Sequence, residues 1–317
     1  MKGNSLNVLM LGGARRVSLS ELLRQSGARL GQEIKLFSYE LFKEVPVAAV
    51  AQVIVGRKWS DPDVVDDIVR VCREHDIDII LPFVDGAIEI ASKCIPLLPD
   101  VFIPVSEYDV CKTMFDKVAA AAAYKQAGIP VPPAYTPLTA SVPAIAKPRF
   151  GSASRGIKVF HNMEDLMQLE NFPEYLVQEY IAPREEYTVD CYVSRDGEIL
   201  CTVPRLRAEV MGGEVTRTVT RRIPELITMS RDVINAFGLR GPVTLQFIRD
   251  LARERYLLME INPRLGGGVV CSVYAGAPIT DYILQESLGI PLKTCDDWSD
   301  NTLMTRYLKE VIFYKNK

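Results

Sequence analysis

The chain opens on an apolar run, LNVLMLG over residues 6–12, with no helical spacing and a glycine pair at its end, so it reads as a buried strand. Apolar positions then recur three and four apart in VSLSELLRQSG, a helical pattern with Gly27 as its stop. IKLFSYE returns to strand character. The series continues with VAQVIV, the helix DPDVVDDIVRVCREH opened by Asp61 and Pro62, the strand IDIILPF, the helix DGAIEIASKC and the short strand VFIP. Strands that alternate with helices need right-handed crossovers, which give a parallel sheet covered on both faces. Residues 1–107 are therefore expected to form a Rossmann-like α/β unit.

The pattern changes after residue 107. One long alanine-rich helix is predicted from about Tyr108 to Gln126, ended by Gly128 and followed by the proline-dense connector IPVPPAYTPLTASVP. Short strands follow: AIAKP, GIKVF, YLVQEYI, EYTVDCYV, EILCTVPRLR and VTRTVT. Then come the helix PELITMSRDVINAFG and a hairpin of PVTLQFIRD with RYLLMEINP. The tail holds a further helical stretch and the strand TRYLKEVIFY. These segments divide into an α+β subdomain over 108–180 and a second over 181–317.

Three stretches carry candidate chemistry. In LLMEINPRLGGG, strand alternation puts Glu260, Asn262 and Arg264 on one face and Met259 and Ile261 on the other. Alternation alone fits a half-buried edge strand running into a glycine turn equally well. If TLQFI pairs with it antiparallel, Gln246 joins Glu260 and Asn262 as a third oxygen ligand, a set suited to magnesium, which takes few carboxylates and draws other ligands from water and phosphates. In AIAKPRFGSASRGIKVF, Gly151, Ser152, Ser154 and Gly156 make a loop able to turn N–H and hydroxyl donors towards a polyphosphate, with Lys147 at its base. It is not a Walker A loop. In LVQEYIAPREEYTVD, a connector offers backbone groups to a purine edge, and Glu186 beyond it could hold ribose hydroxyls.

Composition narrows the partners. The 317 residues are 48% hydrophobic and 24% charged, with a formal net charge of -3. Such a chain lacks the basic field that non-specific nucleic-acid binding relies on. The first apolar run is too short for a signal peptide, and no run approaches the roughly 18 residues of a membrane span, so a cytoplasmic protein without membrane contacts is expected. Seven cysteines without a C-x-x-C pair read as reduced, mostly buried thiols. His75 and His161 are the two histidines, which rules out a histidine-rich metal site. The pair Gly12-Gly13 lacks the G-x-G-x-x-G spacing of a dinucleotide site, since Val17 stands at the third position. Its place beyond a strand's carboxyl end, with Arg15 and Arg16 beside it, still suits an anionic co-substrate.

The order of these motifs, Asp116-Lys117 at a helix start, K-P-x-x-G-S-x-S-x-G, Q-E-Y-I, E-Y-T-V-D, Q-F and E-I-N-P-R, resembles the ATP-grasp superfamily over nearly the whole chain. The resemblance is strongest to the synthetase units of carbamoyl phosphate synthase large subunits. It implies an ATP-grasp fold whose N-terminal Rossmann-like domain precedes two lobes that clasp ATP. It also implies that Lys117 and Lys147 bind the nucleotide, that Gly151 to Gly156 cover its phosphates, and that Gln178, Glu179, Tyr180 and Ile181 form the adenine hinge beside Glu186. Gln246, Glu260 and Asn262 match magnesium ligands, with two ions bridged by Glu260 and manganese as a substitute. Arg264 matches the arginine that acts with Lys147 on the transferred phosphoryl group. The implied chemistry is ADP-forming activation of a carboxylate as an acyl phosphate, followed by attack of an amine. The alternatives are phosphorylation of bicarbonate or carbamate by an associated pair of copies, a homodimer, and a nucleotide-binding regulator without turnover.

The substrates are less legible. Arg205 and Arg207 alternate onto one strand face and are candidates for gripping a carboxylate, with Arg217, Arg221 and Arg222 nearby. Exposed strand-edge charges that discourage aggregation fit the same residues. Gly266, Gly267 and Gly268, which have no side chains to intrude, are expected to let an acyl substrate approach the metal.

Overall fold

Leu6, Val8 and Met10 on one side of the first strand, and Leu9 and Leu11 on the other, are all fully buried, as a strand between two helical layers requires. The computed structural model describes residues 4–151 and 155–314. Within them β1 (Ser5–Leu11), α1 (Val17–Arg29), β2 (Glu33–Glu40), β3 (Gln52–Val55), α2 (Val64–Glu74), β4 (Ile79–Pro82) and α3 (Asp85–Cys94) form a parallel sheet in the order β3-β2-β1-β4 with its helices. After α4 (Tyr108–Phe115) and α5 (Lys117–Gln126), the strands β5 (Ala144–Pro148), β6 (Lys158–Phe160) and, beyond α6 (Met163–Met167), β7 (Tyr175–Glu179) make an antiparallel sheet ordered β6-β5-β7.

The third sheet is also antiparallel. It comprises β8 (Arg184–Val193), β9 (Ile199–Met211) and β10 (Glu214–Thr220), then, across α7 (Pro224–Phe237), β11 (Gly241–Asp250) and β12 (Arg255–Asn262). After α8 (Val269–Tyr274) and α9 (Ile279–Ser287), β13 (Leu303–Thr305) completes the order β12-β11-β8-β9-β10-β13. One core joins the first and last parts of the chain: Leu6, Val8 and Met10 of β1 pack with Leu19, Leu22 and Leu23 of α1 and with Ile279, Tyr282 and Ile283 of α9. The face of the third sheet opposite the candidate site is sealed by Val189, Leu245 and Phe247 against Leu226, Val233 and Ile234 of α7.

Four expectations are corrected. The first helix runs past Gly27 to Arg29, and its stop is Gly31, whose φ of +68° suits glycine. Gly27 serves packing instead, since a Cβ there would lie 2.2 Å from Ile34 Cγ1. The long helix over 108–126 is two helices, because Asp116 is extended at φ −90°, ψ 103° and caps α5 through Oδ1, which accepts the N–H groups of Val118 at 3.0 Å and Ala119 at 3.2 Å. VFIP contributes a single parallel bridge between Phe102 and Ile79. The tail strand is limited to β13; beyond Arg306, whose N–H donates to the Thr216 carbonyl at 2.9 Å, residues 307–314 carry no regular structure and are largely exposed.

The junction at Asp116 also ties α5 to the end of β5, for Arg149 Nη2 donates to Asp116 Oδ2 at 2.7 Å and its Nε to Oδ1 at 2.9 Å. An N-cap is worth about 1 kcal/mol and a partly exposed ion pair about 0–1 kcal/mol, so the cap is the larger part. Asp116→Ala should therefore lower unfolding free energy by about 1–2 kcal/mol, while Asp116→Asn, which keeps the cap, should recover most of it. Denaturant titration checks this: an Asn variant as unstable as the Ala variant would make the ion pair the joint.

Candidate active site

A cavity of about 320 Å³ lies between the second and third sheets, with α4 and α5 at one side and α3 of the first unit at its end. Its lining includes the cations Lys117, Lys147, Arg155, Arg184, Arg207 and Arg264 against the carboxylates Asp85, Glu179, Glu186 and Glu260. Glu179 is paired outside the cavity with Arg253 at 2.7 Å, so the interior carries an excess of positive charge suited to a polyphosphate.

The oxygen-bearing face of the cavity follows from strand register. Gln246 of β11 lies opposite Glu260 of β12, and Thr244 lies opposite Asn262. Between the Gln246–Glu260 and Phe247–Leu258 pairs, β12 has one extra residue, Met259. That bulge puts two successive side chains on one side. Tyr256, Leu258 and Ile261 join the core, whereas Met259 packs with Ile181, Ile248 and Leu257 and lines the cavity beside Glu260. The expectation that Met259 shares a face with Ile261 is thus corrected, because strict alternation fails at the bulge. The outer edge of β12 is tied down where Ile261 N–H donates to Tyr124 Oη at 3.2 Å and Leu258 N–H to the Pro130 carbonyl at 2.7 Å.

Electrostatics mark the same residues. Glu260 is half-buried, and desolvation, then the charge of Asp85, push its carboxyl above the usual range against the pull of Lys117, Arg264 and Lys147. Lys147, near the end of β5, is 8% exposed, and burial pulls its ammonium down to about 8 although Glu260 and Glu186 act the other way. Its Nζ donates to Gln178 Oε1 at 3.2 Å, and Gln178 Nε2 donates to the Pro132 carbonyl at 3.1 Å. Lys117 Nζ donates to the Gly151 carbonyl at 2.5 Å, which places it at the mouth of the glycine loop.

Arg264 is held from two sides. Its Nε donates to Asp85 Oδ1 at 2.9 Å and its Nη2 to Asn262 Oδ1 at 3.1 Å. Glu186 sits between Arg184 at 3.1 Å and Arg207 at 3.5 Å, and the Arg184 guanidinium lies 4.9 Å from the Tyr180 ring centre. At the end of β7 the N–H groups of Glu179 and Tyr180 donate to the carbonyls of Pro133 and Pro143, each at 2.9 Å.

Oxygen donors thus stand on one sheet face with cations opposite, in an architecture shared with solved proteins. Biotin carboxylase from Campylobacter jejuni, solved as a β,γ-ATP complex, superposes with a TM-score of 0.74 over 94% of this chain and 74% of its own, at 18% identity. N5-carboxyaminoimidazole synthetase from Staphylococcus aureus, complexed with ADP, gives a TM-score of 0.73 over 91% of this chain and 79% of its own, at 20% identity. The family described as ATP-grasp in the biosynthetic pathway with Ter operon matches residues 171–309. The chain has the ATP-grasp fold. The carbamoyl phosphate synthase large chain of Clostridium beijerinckii is 28% identical over 170 residues, covering 48% of this chain and 15% of its own length, so the chain spans a small part of that relative.

The ATP-grasp cavity brings together Lys117, Lys147, Gly151, Gln178, Glu179, Tyr180, Ile181, Glu186, Arg207, Gln246, Glu260, Asn262 and Arg264. Gly156 stands beside it with φ +73° and packs on Pro148, while Ser152 and Ser154 lie outside the described residues. Arg205 does not belong. It is 1% exposed, donates from Nε to Asp190 Oδ2 at 2.7 Å and from Nη1 to Thr218 Oγ1 at 3.1 Å, so its reading as a substrate grip is corrected: its charge is engaged inside the protein.

The open approach expected at Gly266, Gly267 and Gly268 is corrected as well. Added Cβ atoms there would lie 2.8 Å from Thr244 Oγ1, 3.0 Å from Arg16 Nη1 and 2.5 Å from Arg205 Nη1, so these glycines admit the protein's own side chains. Sequence reading missed Asp85, Arg184 and Arg155. Asp85 had a usable signal: it opens a helix directly after a parallel strand, at the carboxyl edge where α/β sheets form ligand crevices.

Proposed function

We propose that the chain is an ADP-forming, magnesium-dependent ligase that activates a carboxylate as an acyl phosphate and passes the acyl group to an amine. The observation that carries this is the register pair Gln246–Glu260, set in one cavity with Lys117, Lys147 and Arg264. The donors are all oxygens, one half-buried carboxylate and two amides, with Asp85 close enough to raise Glu260. Gln246, Glu260 and Asn262 would hold magnesium, one ion or two, with manganese as a substitute; when bound, the metal would neutralise phosphate charge. Lys147 and Lys117 hold the phosphates under the loop from Gly151 to Gly156, which has Ser152 and Ser154 as hydroxyl donors. Gln178 to Ile181 are the adenine hinge, where Ile181 is left to supply an N–H because Glu179 and Tyr180 use theirs internally. Glu186 takes the ribose, and Arg264 faces the transferred phosphoryl group.

Phosphoryl transfer needs positioning and charge neutralisation rather than an enzyme nucleophile, in keeping with cysteines that are mostly buried. The parallel unit over 1–107 is read as a Rossmann-like domain preceding the ATP-grasp subdomains 108–180 and 181–317. No helix among the described residues is long and apolar enough to cross a membrane. The test is thermal melting with MgATP, followed by ADP formation against a panel of carboxylates and amino acids. The likeness to a carbamoyl phosphate synthase large chain favours a second arm with bicarbonate and ammonia, read together with any dimerisation. Stabilisation with no turnover in any arm would indicate a regulator, and no shift with MgATP would end the assignment.

A further inference from the structure

A second charged cluster stands where the first and third sheets meet, next to the Arg264 edge of the cavity. Arg16, at the start of α1, donates from Nη2 to Glu214 Oε1 at 3.2 Å. Arg306, just beyond β13, donates from Nη1 to Glu214 Oε2 at 2.7 Å. Each oxygen of one carboxylate thus takes one guanidinium, the arrangement in which arginines recognise a bound carboxylate. Arg306 Nη2 also donates to the Gly267 carbonyl. Gly267 forms the floor, for an added Cβ would lie 3.0 Å from Arg16 Nη1 and 3.4 Å from Arg306 Nη2.

Three further observations bear on this cluster. Glu214 follows the turn Gly212–Gly213, whose φ values of +58° and +80° mark a glycine-built tip, and Gly213 lines the nucleotide cavity. The carboxylate stays reachable, with 32% of its side chain exposed beside 33% for Arg306 and 13% for Arg16. The charges do not balance: Arg16 and Arg306 share the one carboxylate of Glu214, and although burial opposes it, they hold Glu214 below the usual carboxylate range.

We infer that Arg16 and Arg306, the latter anchored by the Gly267 carbonyl, form the seat for the carboxylate of the acceptor substrate, which is therefore an amino acid, and that Glu214 occupies this seat when no substrate is bound. The inference rests on the ligase reading above. An amino acid seated there by its carboxylate has its amine free to meet the acyl phosphate at the Arg264 side. The nitrogen lone pair forms the new C–N bond, the C–O bond to phosphate breaks, inorganic phosphate leaves and the amine loses a proton.

The probes are proteinogenic amino acids, the matching amino-acid amides and inorganic phosphate, titrated calorimetrically into the full chain with and without MgADP. At least one amino acid should bind while its amide does not. Glu214→Gln, which removes the internal occupant's charge, should tighten that amino acid about tenfold, and Arg16→Ala or Arg306→Ala should weaken it about tenfold. MgADP affinity should be unchanged in all three variants. Equal binding of acid and amide, no tightening in Glu214→Gln, or no amino acid bound by a chain that binds MgADP overturns the seat. Phosphate bound more tightly than any amino acid overturns its assignment to a carboxylate. Failure of MgADP to bind overturns the ligase reading instead, and the nucleotide-free titration then judges the seat by itself.

Discussion

Glu260→Gln should cut ATP turnover on the order of 10³-fold and at the same time raise the melting temperature of the nucleotide-free protein. Both effects come from one circumstance. Burial and the neighbouring Asp85 raise the Glu260 carboxyl above its usual range, so the folded protein holds its proton to higher pH than the unfolded chain does. By linkage, the folded state then loses stability as pH climbs from the usual carboxylate range to the raised value, and above it the full cost persists. A neutral amide escapes that cost. Wild type and variant should therefore unfold alike in acid, where both are uncharged, and diverge towards neutral pH with the variant the more stable. Denaturant titration over a pH series reads this directly. MgADP should reverse the order by stabilising the wild type far more. A variant less stable than wild type at neutral pH without nucleotide would show that Glu260 is a structural group.

Lys147→Met should weaken MgATP by about a hundredfold or more, since charge-assisted contacts are worth roughly 1.5–3 kcal/mol each and the lysine is placed to meet several phosphate oxygens. Its ammonium is held down to about 8 by burial. The unfolded chain keeps the same proton to about 10.5, so between these values the folded state binds fewer protons and stability rises with pH. Below about 8 the burial cost is complete, on the order of 3 kcal/mol. The methionine variant should be the more stable at neutral pH and lack that rise. Nucleotide phosphates should draw the ammonium back up, so MgATP binding above pH 8 takes up a proton, and affinity falls as pH rises through this range. Calorimetry in buffers of different ionisation enthalpy measures the uptake; none in wild type, or an equal uptake in Lys147→Met, would remove Lys147 from the phosphate site.

The hairpin that sets Gln246 opposite Glu260 was legible because residue types at period two state their own pairing, and a hard-ion ligand set needs few residues. Met259 was not legible, since an inserted residue shifts the alternation without any change in residue type. Arg205 and Arg207 look alike in sequence, two residues apart on one strand. Asp190 and Thr218 capture one and Glu186 faces the other, a difference made by strands paired across the sheet. Asp116 broke a helix that alanine content favours, because a capping carboxylate competes with the helix interior only when Arg149 and the end of β5 fix its place. Long-range partners such as Asp85 for Arg264, 179 residues apart, leave no local trace at all.

That last pair bears on how chains of this fold can be recombined. Arg264 takes its orientation from a carboxylate of the first unit, and the first strand shares its core with α9 near the other end of the chain. Grafting the N-terminal hundred residues of a homologue would therefore exchange part of the candidate site along with a layer of the core. A workable chimera would have to carry Asp85, α1 and α9 together, so the cut sites that preserve function follow contacts in space rather than boundaries along the sequence.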